Sequence, residues 1–267
     1  MIKLSNKDFF PSQEVLAEAE AQGLRPRAGG THTSRTIMSK DLDALLNSAP
    51  EYTDRAGYSQ RIVEENCLGK STVATRRLSY KRLGELYALD RRVSLFRVLR
   101  RLWQVDEVGR PLLALLAALA RDPLLLATAP AILSLRNGDE LPRGAVRQQL
   151  DEAVAGRLNE GILDKVLRNT ASSWTQSGHL TGRTFKTRQP VQPTPGAISF
   201  ALWIACQAGF NDTDALRSGW IAVLDCAEPQ ALQLASEAHR LHLINMSVAE
   251  NAVTLDFGRL DPNHRSR

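Results

Sequence analysis

The chain has 267 residues, 43% of them hydrophobic, enough to close one large core or two small ones and too many for a largely disordered state. Its 34 Lys and Arg against 29 Asp and Glu leave a net charge of +5, so the placement of the excess matters more than its size. Cys67, Cys206 and Cys226 form no CxxC pair, which argues against a disulfide framework or a zinc ribbon and suits a reducing cytoplasm.

Met1 to Phe10 mixes acidic, basic and amide residues where a signal peptide needs an apolar run, so export is not expected. A helix is predicted over 13–22, closed by Gly23. Arg25-Pro26-Arg27-Ala28-Gly29-Gly30 then marks a linker, and 1–30 reads as an N-terminal arm. Ile37, Met38, Leu42, Leu45 and Leu46 recur at helical spacing up to Pro50, and a second short helix starts near Ser59. Ser71 or Thr72 caps a third, with Val73, Leu78, Leu83, Leu86 and Tyr87 as its apolar members. Asp90 opens a fourth through Val93, Phe96, Leu99 and Trp103. Pro111 suits a first turn, and the Leu/Ala-rich helix behind it is apolar all round, as a central helix is. That run, Leu112 to Ala120, meets Arg121-Asp122-Pro123 well short of the roughly 20 residues that span a membrane. Asp122-Pro123 begins a short helix that stops around Pro130. The turn at Arg136-Asn137-Gly138-Asp139 places a domain boundary near 136–144.

In the second half, Val146, Leu150, Val154 and Leu158 mark one helix, and Ile162, Val166, Leu167 and Trp174 mark another that ends at Gly178. Residues 179–195, with alternating Thr184 to Arg188, read as a short β-hairpin or wing. Helical pattern returns over 195–207, 213–226 and 229–240, and Ile244–Val248 with Val253–Phe257 form a terminal hairpin. The expected fold is mainly α. It comprises two helical subdomains, 31–140 and 141–267, with helix-turn-helix or winged-helix character and short β-hairpin wings.

Two windows carry the charge. Between Lys70 and Arg101 lie ten basic residues (Lys70, Arg76, Arg77, Lys81, Arg82, Arg91, Arg92, Arg97, Arg100 and Arg101) against Glu85 and Asp90, a larger excess than that of the whole chain. Arg77 and Lys81, with Arg76 beside them, project from one broad helix face while Leu78 and Leu86 point inward. A duplex phosphate backbone rewards such an array through counterion release; a solvated helix face is the plain alternative. The second window, Lys165 to Arg188, holds Lys165, Arg168, Arg183, Lys186 and Arg188 and no acid. Its short polar side chains, Asn169, Ser173 and Gln176 among them, suit base edges on a recognition helix that leads into a basic wing. An ordinary amphipathic helix with an uncharged polar face is the alternative there.

Catalytic chemistry finds little support. Gly69-Lys70-Ser71 matches the end of a phosphate-binding P-loop, but Glu64 stands where the first glycine belongs. His239 and His242 have no third ligand at a suggestive spacing, and no nucleophile motif or paired carboxylates occur. No catalytic residue, metal, cofactor or small-molecule substrate is expected.

Thr33-Ser34-Arg35-Thr36-Ile37-Met38, followed by Ile62-Val63-Glu64-Glu65-Asn66-Cys67-Leu68-Gly69-Lys70-Ser71-Thr72-Val73-Ala74-Thr75-Arg76-Arg77-Leu78, resembles the BrxA family, small helical proteins encoded in bacterial BREX phage-exclusion loci. In architecture the likeness continues through the apolar middle helices to Ala171-Ser172-Ser173-Trp174. The chain is long for that family, with an extra N-terminal segment and an extended C-terminal helical region. The resemblance implies a non-enzymatic, mainly helical protein whose basic surface binds double-stranded DNA and whose partners are other defence-system proteins. A structural adaptor docking through Leu95, Phe96 and Trp103 is the rival, and an RNA-binding factor stacking bases on Tyr80, Tyr87 and Phe185 is another.

Overall fold

The computed structural model describes residues 4–12, 14–27, 30–250 and 252–262, and among these the chain is mainly helical with two small antiparallel sheets. Gln13, Ala28, Gly29 and Asn251, parts of the expected first helix, linker and hairpin turn, lie outside the described residues. Helix α1 (Leu16–Ala21) is shorter than its sequence pattern. It is followed by α2 (Ser39–Ser48) and α3 (Arg55–Val63), where the Asp54 carboxylate caps α3 by accepting from the Gly57 amide at 2.8 Å. Helix α4 (Val73–Tyr87) starts at Thr72, whose hydroxyl accepts from the Thr75 amide at 3.1 Å, the cap its sequence promises. Then come α5 (Ser94–Val105), α6 (Arg110–Arg121) with Pro111 in its first turn, and α7 (Pro123–Leu126). Pro130 falls in the first turn of α8 (Ala129–Leu133) instead of ending the helix before it.

The second half runs through α9 (Arg143–Val154) and α10 (Glu160–Gln176). Gly178 follows α10 at φ 90°, a left-handed conformation that suits glycine and stops the helix. The hairpin of β1 (Leu180–Thr181) and β2 (Thr187–Arg188) comes next, and Glu140 bridges to Thr187 along its outer edge. Helix α11 (Pro195–Gln207) has the bounds its pattern gives. The single helix expected over 213–226 is instead two short ones, α12 (Asp212–Ala215) and α13 (Gly219–Ala222). They break where the Ser218 hydroxyl donates to the Ala215 carbonyl at 2.7 Å and Gly219 lies so near the Phe9 ring that a Cβ would sit 2.9 Å from it. Helix α14 (Glu228–Arg240) and the hairpin of β3 (Asn245–Ala249) with β4 (Ala252–Asp256), pairing Met246 with Leu255, complete the fold.

Every residue of α6 from Leu112 to Arg121 is buried, as its all-round apolar pattern requires. Helix α11 is a second such centre. It is buried from Gly196 to Ala205 and packs against α5 and α6 as well as α13 and α14. One apolar cluster therefore runs from Phe9 to Leu260 across the boundary expected near 136–144, and the two halves share their core. The N-terminal segment belongs to that core too. Phe9 and Phe10 meet the Trp220 ring edge-on, with centroids 5.2 and 5.7 Å away, and the Trp220 indole donates to the Phe9 carbonyl at 2.9 Å. The Arg25 amide bonds the Ala120 carbonyl at the end of α6. Phe9, Phe10, α1 and Leu24 are thus packed onto the core, not held off as an arm. Among the described residues no single helix is long and apolar enough to cross a membrane.

Candidate nucleic-acid interface

Helices α3 and α4 pack against each other, joined by 64–72. Asn66 gives that connection its shape. It adopts φ 55°, which Asn tolerates, and its carboxamide oxygen accepts from the Lys70 amide at 2.8 Å. Arg76 then fastens the loop to α4, donating to the carbonyls of Lys70 at 3.1 Å and Val63 at 3.2 Å. Held this way, the first two turns of α4 present Ser71, Thr72, Val73, Ala74, Arg77, Leu78 and Lys81 to solvent. Val73 is 47% and Leu78 37% exposed, so Leu78 lies on the outer face and not, as its spacing suggests, on the inner one; Leu83, Leu86 and Tyr87 fill the core instead. Among the described residues neither Arg77 nor Lys81 has an ion-pair partner.

Of the remaining charges of the first window, all but the exposed Arg101 on α5 are engaged. Lys70 reaches Asp41 at 2.7 Å, Arg82 pairs with Glu85 at 2.7 Å, Arg92 with Asp90 at 2.8 Å and Arg97 with Asp261 at 2.7 Å. Arg100 is buried and donates to the Ala49 carbonyl, and Arg91 lies over the Tyr52 ring. A local excess of ten bases is thereby reduced to Arg77 and Lys81 on α4 and Arg101 on α5. Residues outside both windows extend it. Arg35 and Lys40 line a cleft of about 510 Å³ with Lys70, Thr75 and Gln176, beside the first half of α4. Set singly among Thr, Ser and Asp in sequence, they carry no charge-run signal.

The second window is arranged differently, and the recognition-helix reading of α10 does not survive it. Ser173 is fully buried, accepting from the Ile37 amide at 3.0 Å and donating to the Asn169 carbonyl at 2.8 Å. The Asn169 carboxamide donates to the His32 carbonyl at 2.8 Å, and Gln176 accepts from the Ser39 amide at 3.1 Å and its hydroxyl at 3.0 Å. These side chains dock the segment 31–39 onto α10, with Ser173 buried and the polar atoms of the half-buried Asn169 and Gln176 committed to that segment. The wing fares similarly. Arg188 is buried and paired with Asp225, and the Lys186 ammonium, lowered from its ordinary pKa by partial burial, donates to Thr175 at 2.8 Å. Lys165, Arg168 and Arg183 remain exposed.

One constellation was invisible in the sequence because its members are far apart in the chain. His32 Nδ1 lies 2.8 Å from the Asp122 carboxylate and its Nε2 lies 2.8 Å from the Ser173 hydroxyl, the order of a hydrolytic triad. All three are at most 1% exposed, and the chain of hydrogen bonds works as a core fastener. Burial acts to raise the Asp122 carboxyl, but the His32 ring and the amides of His32 and Leu124 outweigh it and hold the pKa below the usual carboxylate value. His179, between Ser177 and the Val223 carbonyl, is pushed down to about 4 by burial and is neutral at pH 7.

The other candidate residues for chemistry have these surroundings. Lys70 of the P-loop-like triplet is tied to Asp41. His239 Nδ1 accepts from the Met246 amide and His242 meets Arg259, and among the described residues no cluster of His, Cys, Asp and Glu could hold a metal ion. Leu95, Phe96 and Trp103, the expected adaptor surface, are at most 1% exposed. Of the aromatic residues expected to stack on RNA, Tyr87 is buried and Tyr80 donates to the Arg55 carbonyl, which leaves Phe185 at 71% exposure. No protein-family model and no curated protein matches the chain.

Proposed function

We propose that this protein is a non-enzymatic accessory protein of a bacterial BREX-type anti-phage system that binds double-stranded DNA in the cytoplasm. In this reading α3 and α4 act as a helix-turn-helix pair with α4 toward the major groove. The observation that carries it is the outer face of α4, where short hydroxyls, two exposed apolar side chains and two unpaired cations stand together at the helix N-terminal half. Ser71 and Thr72 suit phosphate or base-edge hydrogen bonds, Val73 and Leu78 suit thymine methyl groups, and Arg77 and Lys81 suit backbone phosphates. The amide end of α4 adds its dipole to the same attraction. The BrxA resemblance, which includes 62–78, supplies the defence context and the expectation of partners from the same system.

With a cationic strip and, among the described residues, no set of side chains arranged to read base edges, binding is expected to be electrostatic and weakly sequence-selective. Fluorescence anisotropy of a labelled duplex, titrated with the full chain at 50 and 200 mM salt, tests this. Binding that weakens at least tenfold between the two salts, and that single-stranded RNA of equal length competes for poorly, supports the reading. No binding at 50 mM salt, or preferential capture of the RNA, contradicts it.

A further inference from the structure

Beside the second half of α4, Arg25, Arg82 and Arg121 line one cleft of about 300 Å³ together with Gly30, Thr31 and Glu85. Glu85 is the sole carboxylate of that lining and is already engaged, accepting from Arg82 at 2.7 Å and from the Thr31 hydroxyl at 2.9 Å. Three guanidinium groups thus face one carboxylate. Arg121 is 7% exposed and, among the described residues, has no acidic partner; it donates to the backbone carbonyls of Glu85 at 3.0 Å and of Gly23. Burial, and after it the nearby Arg25, bring its pKa down to about 9, so it is still charged at neutral pH. The Arg82 Nε, by contrast, is buried without a hydrogen-bond partner among the described residues. That donor without an acceptor is costly in such a place, and a tetrahedral oxyanion can accept from it and from a neighbouring guanidinium at once.

Arg82 adjoins Lys81 in the chain, and Glu85 lies one turn beyond it, so the cleft flanks the face of α4 that carries Arg77 and Lys81. We propose that this cleft is a phosphoryl-group site, filled by a backbone phosphate of a duplex lying along α4. The proposal rests on the DNA reading of that helix. It assigns Arg25 and Arg82 as the groups that grip the phosphate, with Arg121 behind them fixing the positive potential of the floor.

The test uses the full chain labelled with ¹⁵N and follows the arginine Nε–H resonances while inorganic phosphate is titrated at constant ionic strength, with chloride as control. Saturable shifts of the Arg82 and Arg121 signals are expected, weakened at least fivefold in Arg25→Gln. That variant keeps the backbone bond from residue 25 to Ala120, and its circular dichroism should match the parent. In duplex titrations Arg25→Gln is expected to lower the salt slope by about 0.9, one phosphate contact. Phosphate shifts with unchanged duplex binding by Arg25→Gln would make the ligand a free phosphate and overturn the assignment to the duplex. Absence of any phosphate shift would overturn the site itself, and binding that still weakens in Arg77→Ala would leave the α4 reading intact. Phosphate shifts in a protein that binds no duplex would show that the DNA reading, not the anion site, is at fault.

Discussion

Helices α4 and α10 both carry polar side chains at helical spacing beside a run of bases, yet α4 turns that face to solvent and α10 turns it onto the segment 31–39. The difference lies in the type of polar residue. Arg77 and Lys81 have charges that cannot be buried unpaired, so they remain outside unless a carboxylate meets them. Asn169, Ser173 and Gln176 are uncharged, and backbone groups of a neighbouring loop satisfy them as well as water or a base edge would. An uncharged polar stripe on a helix marks a surface that needs hydrogen bonds, and the identity of the partner is settled only by what folds against it.

That contrast can be broken by substitutions on the α10 side, which should cost stability and leave DNA affinity alone. The largest effect is expected from Arg188→Met, which strips Asp225 of its buried partner and should cost about 3 kcal/mol in denaturant unfolding. A duplex affinity that fell in the folded protein would return Arg188 to the interface. Next comes His179, whose folded-state pKa of about 4 lies below its unfolded value. Its stabilising contribution is complete above the unfolded pKa, near 6.5, and is lost as pH falls toward 4, about 2 kcal/mol by pH 5. Unfolding curves at pH 7 and pH 5 check this, and His179→Gln should flatten the dependence. Asn169→Ala, which leaves the His32 carbonyl without its donor, should cost about 1.5 kcal/mol with no change in any preference among DNA sequences. A changed preference would revive the recognition-helix reading. The smallest effect is expected from Arg77→Ala, whose exposed side chain has no partner to lose and should alter stability by less than about 0.5 kcal/mol.

Local chemistry was legible wherever one residue decides the outcome. The Thr72 cap, Pro111 in a first turn, the stop at Gly178 and both bounds of α11 follow from the sequence alone. The all-round apolar pattern marked α6 as central. The same pattern in α11 went unused, and with it the sign that the two halves share one core. What the sequence hides is pairing between distant segments. His32, Asp122 and Ser173 meet across the whole first half of the chain and beyond, and neither periodicity nor spacing signals them. Leu78 was misplaced because an apolar residue at the edge of a helical stripe packs inward only if an element covers that edge, and here none does. Charge counting marked α4 as a basic helix, and its outer face is exposed, but the count overstates the free charge, since intramolecular carboxylates and carbonyls take up most of the ten bases.

The central claim is that the free cations of α4, and not the residues of α10 and its hairpin, hold the duplex. It is tested most directly by the salt dependence of duplex binding in Arg77→Ala/Lys81→Ala beside Lys186→Ala, both checked for native circular dichroism. Loss of two phosphate contacts should lower the slope of log affinity against log salt by about 1.8 in the α4 variant, while the hairpin variant keeps the parent slope. An unchanged slope in the α4 variant, with the loss appearing in Lys186→Ala instead, would contradict it.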